Sequence, residues 1–177
     1  MATWAESASA APDLAAVAER LWPGVVRLGR GEEPTSRDQP TLSVAYLATT
    51  RRDGSPRLHP FCPVIAGGRL FAVIPRSSPK GWDLRRDPRC VVHAMPGPDD
   101  DELCIRARAR EVPGTSEERE TLVRTIEAGG VGGMIESVTH DPAFELDVEQ
   151  VDVARWLDIG QPGTRAERRQ WRDTHQT

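Results

Sequence analysis

With 177 residues, 27 acidic against 23 basic side chains and a formal charge of −4, the chain is in the range of a single domain and lacks the cationic excess that neutralises duplex phosphates. Cys62, Cys90 and Cys104 are odd in number and sit in apolar or strand-like runs, which points to reduced thiols and a cytoplasmic protein rather than a disulfide framework or a zinc cluster. No basic start precedes a long apolar run, and no stretch approaches the roughly 18 apolar residues of a membrane span, so a soluble protein with no membrane or nucleic-acid partner is expected.

One domain is expected over residues 1–177, with a loose arm over 1–12 and a basic tail over 160–177. Pro12 suits the first turn of a helix in which Leu14, Val17, Ala18 and Leu21 recur at helical spacing until Trp22-Pro23-Gly24. Gly29 to Pro40 mixes Gly, Pro and charge without periodicity. From Leu42 to Thr49 the residues are β-branched and apolar, and the turn Arg52-Asp53-Gly54-Ser55 joins that run antiparallel to Pro56 to Ile65. On this second run Arg57, His59 and Phe61 share one face and Leu58 and Pro60 the other. Ala66-Gly67-Gly68 turns the chain into Leu70 to Ile74. The spacing leaves hardly any room for crossovers, so these strands form a meander and not a Rossmann unit.

Pro75 to Lys80 is a polar turn before a helix over Pro79 to Arg86, which Asp87-Pro88 stops. A phosphate placed there would meet free backbone N–H groups, the Ser77 and Ser78 hydroxyls and the Lys80 ammonium. The alternative is that a serine merely caps a solvated helix. Cys90 to Ala94 is a further strand, and an acidic Pro/Gly loop ends at Asp99-Asp100-Asp101. From Leu103 to Val112 the residues alternate strictly: Cys104, Arg106, Arg108 and Arg110 lie on one face, Leu103, Ile105, Ala107 and Ala109 on the other. Thr115 and Glu118 form a capping box for a helix through Glu127, which Gly129-Gly130 ends. The segment VGGMIESVTHDP is expected to be flexible. A last strand runs from Phe144 through Val153 towards Trp156. Six or so antiparallel strands with two or three short helices fit a small closed or nearly closed barrel, because closure disposes of sheet edges.

The hairpin Asp53-Gly54-Ser55-Pro56-Arg57, the strand LHPFCPVI, the turn Ser77-Ser78-Pro79-Lys80 and the phrase Leu84-Arg85-Arg86-Asp87-Pro88-Arg89 before a strand occur in an order and spacing that resemble the pyridoxamine 5'-phosphate oxidase-like flavin-binding proteins. The resemblance runs from about Leu42 to Trp156. It implies a six-stranded antiparallel split β-barrel, mainly β with short helices, and a homodimer binding flavin mononucleotide (FMN) or a deazaflavin coenzyme across its interface. Carried over by position, Ser78 and Lys80 correspond to the phosphate-binding turn, where Ser77 is a further candidate donor, and Arg57, His59, Pro60, Phe61 and Cys62 to the strand beside the isoalloxazine ring. Each has a plainer alternative: His59 as a half-buried histidine on a backbone carbonyl, Cys62 as a buried apolar residue with no histidine–carboxylate pair to activate it. No acid, base or nucleophile stands out. The resemblance implies a flavin-dependent oxidoreductase acting on a small molecule, in which the cofactor supplies the redox chemistry, and the lack of such a group agrees with it. The alternative is a non-catalytic flavin- or haem-binding protein.

Overall fold

The hairpin at Arg52–Ser55 forms as its residues dictate. Gly54 has a φ of +84°, Asp53 Oδ1 accepts from the Ser55 amide at 3.0 Å, and β1 (Ala45–Thr50) runs antiparallel to β2 (Pro56–Phe61). The computed structural model describes residues 1–30, 42–97 and 100–174. A bend at Cys62 separates β2 from β3 (Pro63–Ala66), and Gly67 and Gly68, both with positive φ, turn β3 back into β4 (Arg69–Val73). The helix after the polar turn is Pro79–Arg86 and is followed by β5 (Arg89–Ala94) and β6 (Asp101–Val112). β6 pairs along its whole length with β7 (Ala143–Leu157), with one bulge between Arg106 and Ala107.

The strands hydrogen-bond in the order β2-β1-β5-β6-β7-β4-β3. The two ends of that path, β2 and β3, are consecutive in the chain, so the sheet curls until its edges meet at Cys62. Both edges carry prolines, Pro56, Pro60 and Pro63, which have no N–H to offer another strand. Inward residues of alternate strand positions, among them Leu47, Val92, Ile105, Leu146 and Val151, join Leu14, Val17, Trp22 and Val25 from the amino-terminal helices in one apolar core.

Several expectations are corrected. Strands among the described residues number eight rather than six, because the run Pro56–Ile65 breaks at Cys62 and the tail supplies β8 (Arg165–Arg172). The physical reason for β8 is that β4 pairs only with residues 143–145, which leaves the second half of β7 with an unsatisfied edge. The arm over 1–12 is not loose: α1 (Trp4–Ala10) carries a Thr3/Glu6 capping box, buries Trp4 and Ser7, and is preceded by a bridge from Ala2 to Val148. α2 (Pro12–Leu21) does end at Trp22-Pro23 as expected, but Pro23 at once begins a further helix, α3 (Pro23–Gly29), whose Val25, Val26 and Leu28 are all buried. The helix before β5 is therefore α4. Ser116, not Thr115, caps α5 (Glu117–Ala128) through the Arg119 amide. The segment expected to be flexible forms α6 (Gly132–His140), whose Val138 is buried with Leu122 and Ile126 of α5. Within the irregular stretch Gly29–Pro40, residues 31–40 lie outside the described residues, as does Asp99.

Candidate functional site

The polar turn brings α4 against the β2 edge. Lys80, in the first turn of α4, donates from Nζ to the Pro60 carbonyl at 3.2 Å, and Cys62 lies close enough for the ammonium to act on its thiol. Burial pulls the Lys80 ammonium below the ordinary lysine value, and burial pushes the Cys62 thiol up, which keeps it protonated and unreactive at neutral pH. Among the described residues no carboxylate pairs with Lys80. Ser78 occupies the N-cap position but its side chain makes no cap hydrogen bond, and Ser77 is exposed. The structure thus gathers Pro60, Cys62, Ser77, Ser78 and Lys80 in one corner, with hydroxyls uncommitted and a cation half-buried.

Arg57 is used differently. Its Nε donates to Asp83 Oδ2 at 2.6 Å, and Asp83, only 3% exposed, also accepts from Thr49 Oγ1 at 3.1 Å and from Arg86 Nη2 at 3.0 Å. Desolvation alone would raise the Asp83 carboxyl, but the bonds from Arg57, Arg86 and Thr49 together outweigh it and hold the pKa below the ordinary value. This buried carboxylate ties β1, β2 and α4 together and leaves Arg57 committed. Phe61 is a core residue at 7% exposure. His59 is half-buried, faces the fully buried Leu47 across the β1–β2 ladder, and has no hydrogen bond among the described residues.

Strand register reveals what sequence reasoning missed. Pro60 is opposite Tyr46, Tyr46 opposite His93, His93 opposite Cys104, Cys104 opposite Asp152 and Asp152 opposite Gln170. These residues form one transverse row across the outer face of the sheet, starting at the carbonyl that holds Lys80. Cross-strand neighbours stand ~5 Å apart, so the row is a continuous polar floor. Over its far end lies a cavity of about 530 Å³ lined by His93, Glu102, Cys104, Asp152 and Arg168. His93 Nδ1 is 2.7 Å from the Ala94 carbonyl, which assigns the proton to Nδ1 and leaves Nε2 as an acceptor. No short-range motif marks this row; it exists only once five ladders fix the register.

No protein-family model matches the chain, and no curated protein does. Solved structures do match it. HutZ, the haem storage protein from Vibrio cholerae, superposes with a TM-score of 0.56 at 18% identity, over 75% of this chain and 93% of that one. Campylobacter jejuni ChuZ gives a TM-score of 0.56 at 12% identity, covering 65% of this chain and 51% of that one. A haem-binding protein from Mycobacterium smegmatis gives 0.52 at 18% identity, over 72% and 52% of the respective chains. The fold is a split barrel. At these identities the likeness establishes architecture alone, and function has to be argued from the site. In this split barrel β2 exposes Leu58 at 61% and α4 exposes Trp82 at 59%, two large apolar side chains on the elements that form the Lys80 corner.

Proposed function

We propose that the chain is a flavin-dependent oxidoreductase of the pyridoxamine 5'-phosphate oxidase-like type, acting as a homodimer on a small molecule, with the cofactor phosphate seated at Ser77, Ser78 and Lys80. The observation that carries this reading is the half-buried Lys80 ammonium with no carboxylate partner among the described residues, beside uncommitted hydroxyls at the start of α4. A desolvated cation at a helix N-terminus is stabilised by an anion, and a phosphate monoester fits that donor set. The residues therefore fit a flavin phosphate, with the exception of Arg57, which Asp83 already occupies.

When bound, the flavin would supply hydride or electron exchange with the small molecule. Lys80 and the serines bind and orient the phosphate. The row from Pro60 through Tyr46 to His93 offers a floor for the ring, and the exposed Leu58 and Trp82 are apolar surface that a second subunit would cover to exclude water. FMN is the first candidate and a deazaflavin coenzyme the second, since both present a phosphate to the same turn. The test is reconstitution of purified protein with each: a bound yellow chromophore that a nicotinamide cofactor bleaches and a second substrate reoxidises supports the reading. Protein that stays colourless with both overturns it.

A second reading, a non-catalytic haem binder, is favoured by His93. Its Nδ1–H is fixed on the Ala94 carbonyl, so Nε2 is the free lone pair at a cavity of about 530 Å³, and HutZ is a haem storage protein of the same fold. A sharp haem absorption band on titration, with no flavin uptake, would select this alternative.

A further inference from the structure

A second cationic centre is built on Arg119. Arg119 projects from α5 and is only 5% exposed, yet no carboxylate pairs with it among the described residues. One arm of its guanidinium, Nη2, donates to the Asp141 carbonyl at the end of α6; the other, Nη1, is buried without any hydrogen-bond partner. Burial holds this guanidinium below the ordinary arginine value. The Asp141 carboxylate acts on this buried charge through space without pairing with it, and an arginine fork with one empty arm is a donor in want of an acceptor.

The surroundings define what could fill it. Arg119 lines a cavity of about 400 Å³ together with Arg76, Arg85, Glu111, Thr139 and His140. It also lines a neighbouring cavity of about 310 Å³, which shares Gly114 and Thr139 with the first. The other charges facing this space are largely settled. Arg85 is held bidentate by Glu111 at 2.6 and 2.7 Å, Asp141 accepts from Ser137 and the Arg76 amide, and the Arg76 side chain donates twice to the His140 carbonyl. Arg76 and Arg119 thus complement the carbonyl end of α6, which explains their presence but not the empty Nη1.

We propose that the Arg119 cavity is a binding site for a small oxyanion, a phosphate or a carboxylate, which lies between Arg119 and Arg76 and accepts from Nη1 once the guanidinium turns that sealed arm into the cavity. This site rests on Arg119 and not on the flavin reading, although Arg76 belongs to the same turn as Ser77. The planar fork of arginine matches either anion, and the space is of small-ligand size.

Inorganic phosphate, and in a parallel arm acetate, would be titrated into the full chain at constant ionic strength, following the 15N signals of the arginine side chains and the thermal midpoint. Saturable movement of the Arg119 Nε signal and a raised midpoint are expected, and the arm with the tighter response names the source. Lys80→Ala should leave that Arg119 response intact, which separates it from phosphate captured at the cofactor turn. Arg119→Gln should weaken the thermal response at least tenfold. Because that change also removes a donor from the end of α6, Thr139→Glu is the companion variant: it keeps the guanidinium and adds a carboxylate to the same cavity from an exposed helical position. It should raise the midpoint without added anion and abolish the response to phosphate. No saturable Arg119 response to either anion in wild type, or a response that survives in both variants, overturns the proposal.

Discussion

At the scale of single residues, two cations, Arg57 on β2 and Lys80 on α4, show how side-chain identity leaves role undecided. Arg57 reads as a cofactor contact from its strand position, but the structure places it on Asp83, a residue no motif marks; a buried acid inside a short charged helix becomes visible only when its partners on β1 and β2 are brought to it. Lys80 is the reverse case, legible from the turn that precedes the helix. Lys80→Ala should weaken FMN binding roughly 10- to 100-fold, the value of one charge-assisted hydrogen bond. Arg85→Ala should leave affinity within about twofold, since Arg85 is engaged with Glu111 at the opposite end of α4. A fluorescence titration of the two variants checks this; equal losses would reduce the turn to a helix cap. Asp83→Asn should lower stability at neutral pH by about 1–3 kcal/mol, the cost of leaving buried partners imperfectly satisfied. The sign of its pH dependence follows from the depressed carboxyl. The stabilisation is fully present above the ordinary aspartate value of 3.8 and is lost as pH falls through the lower folded value. Denaturation midpoints of wild type and variant should accordingly converge in that acid range, and a gap that stays constant below it would show that the carboxylate charge is not what holds Arg57.

At the scale of elements, strands announced themselves and ends of the chain did not. Alternation over Leu103–Val112 and the Asp-Gly hairpin are local signals, and both elements form where those signals put them. α1, α3, α6 and β8 lack such signals for separate reasons. α1 is short and rich in Ala and Ser, so its helix rests on Thr3 capping and on docking of Trp4. α3 begins at a proline directly after another helix, and α6 starts in a Gly-rich run that masks the stripe of Met134, Ile135 and Val138. In β8 most side chains are exposed and charged, so no apolar period reveals it; the open edge of β7 recruits it by backbone hydrogen bonding. Removing residues 161–177 should therefore cost more than trimming a tail would. Half-buried Trp171 alone contributes about 1–2 kcal/mol, and the exposed β7 edge should promote self-association. Urea unfolding and light scattering of the truncated chain provide the check, and an unchanged midpoint with no scattering would mean the strand pairing is marginal.

At the scale of the whole molecule, the barrel itself was legible because a chain of short antiparallel strands without crossovers has few ways to hide its edges. Its outer floor was not, since Tyr46, His93, Cys104, Asp152 and Gln170 become neighbours through ladders between residues far apart in sequence. If that floor and the exposed Leu58 and Trp82 face a second copy, the protein should run as a dimer of about twice 19.5 kDa at micromolar concentration, and Trp82→Glu should shift it towards monomer and weaken cofactor binding in parallel. Sedimentation analysis decides it: a wild-type monomer that still binds FMN tightly would sink the two-subunit site. The bend at Cys62 carries a different consequence. The sheet's first and last strands are joined only by that residue, while the Met1 ammonium lies 2.8 Å from Asp173. Positions 1 and 173 therefore meet, and the bend at Cys62 is a natural place to open the fold instead. A circular permutant with Asp173 linked to Met1 and new ends at Cys62 should keep the same strand order and circular-dichroism spectrum but unfold at lower denaturant, because nothing would then clasp the two sheet edges together.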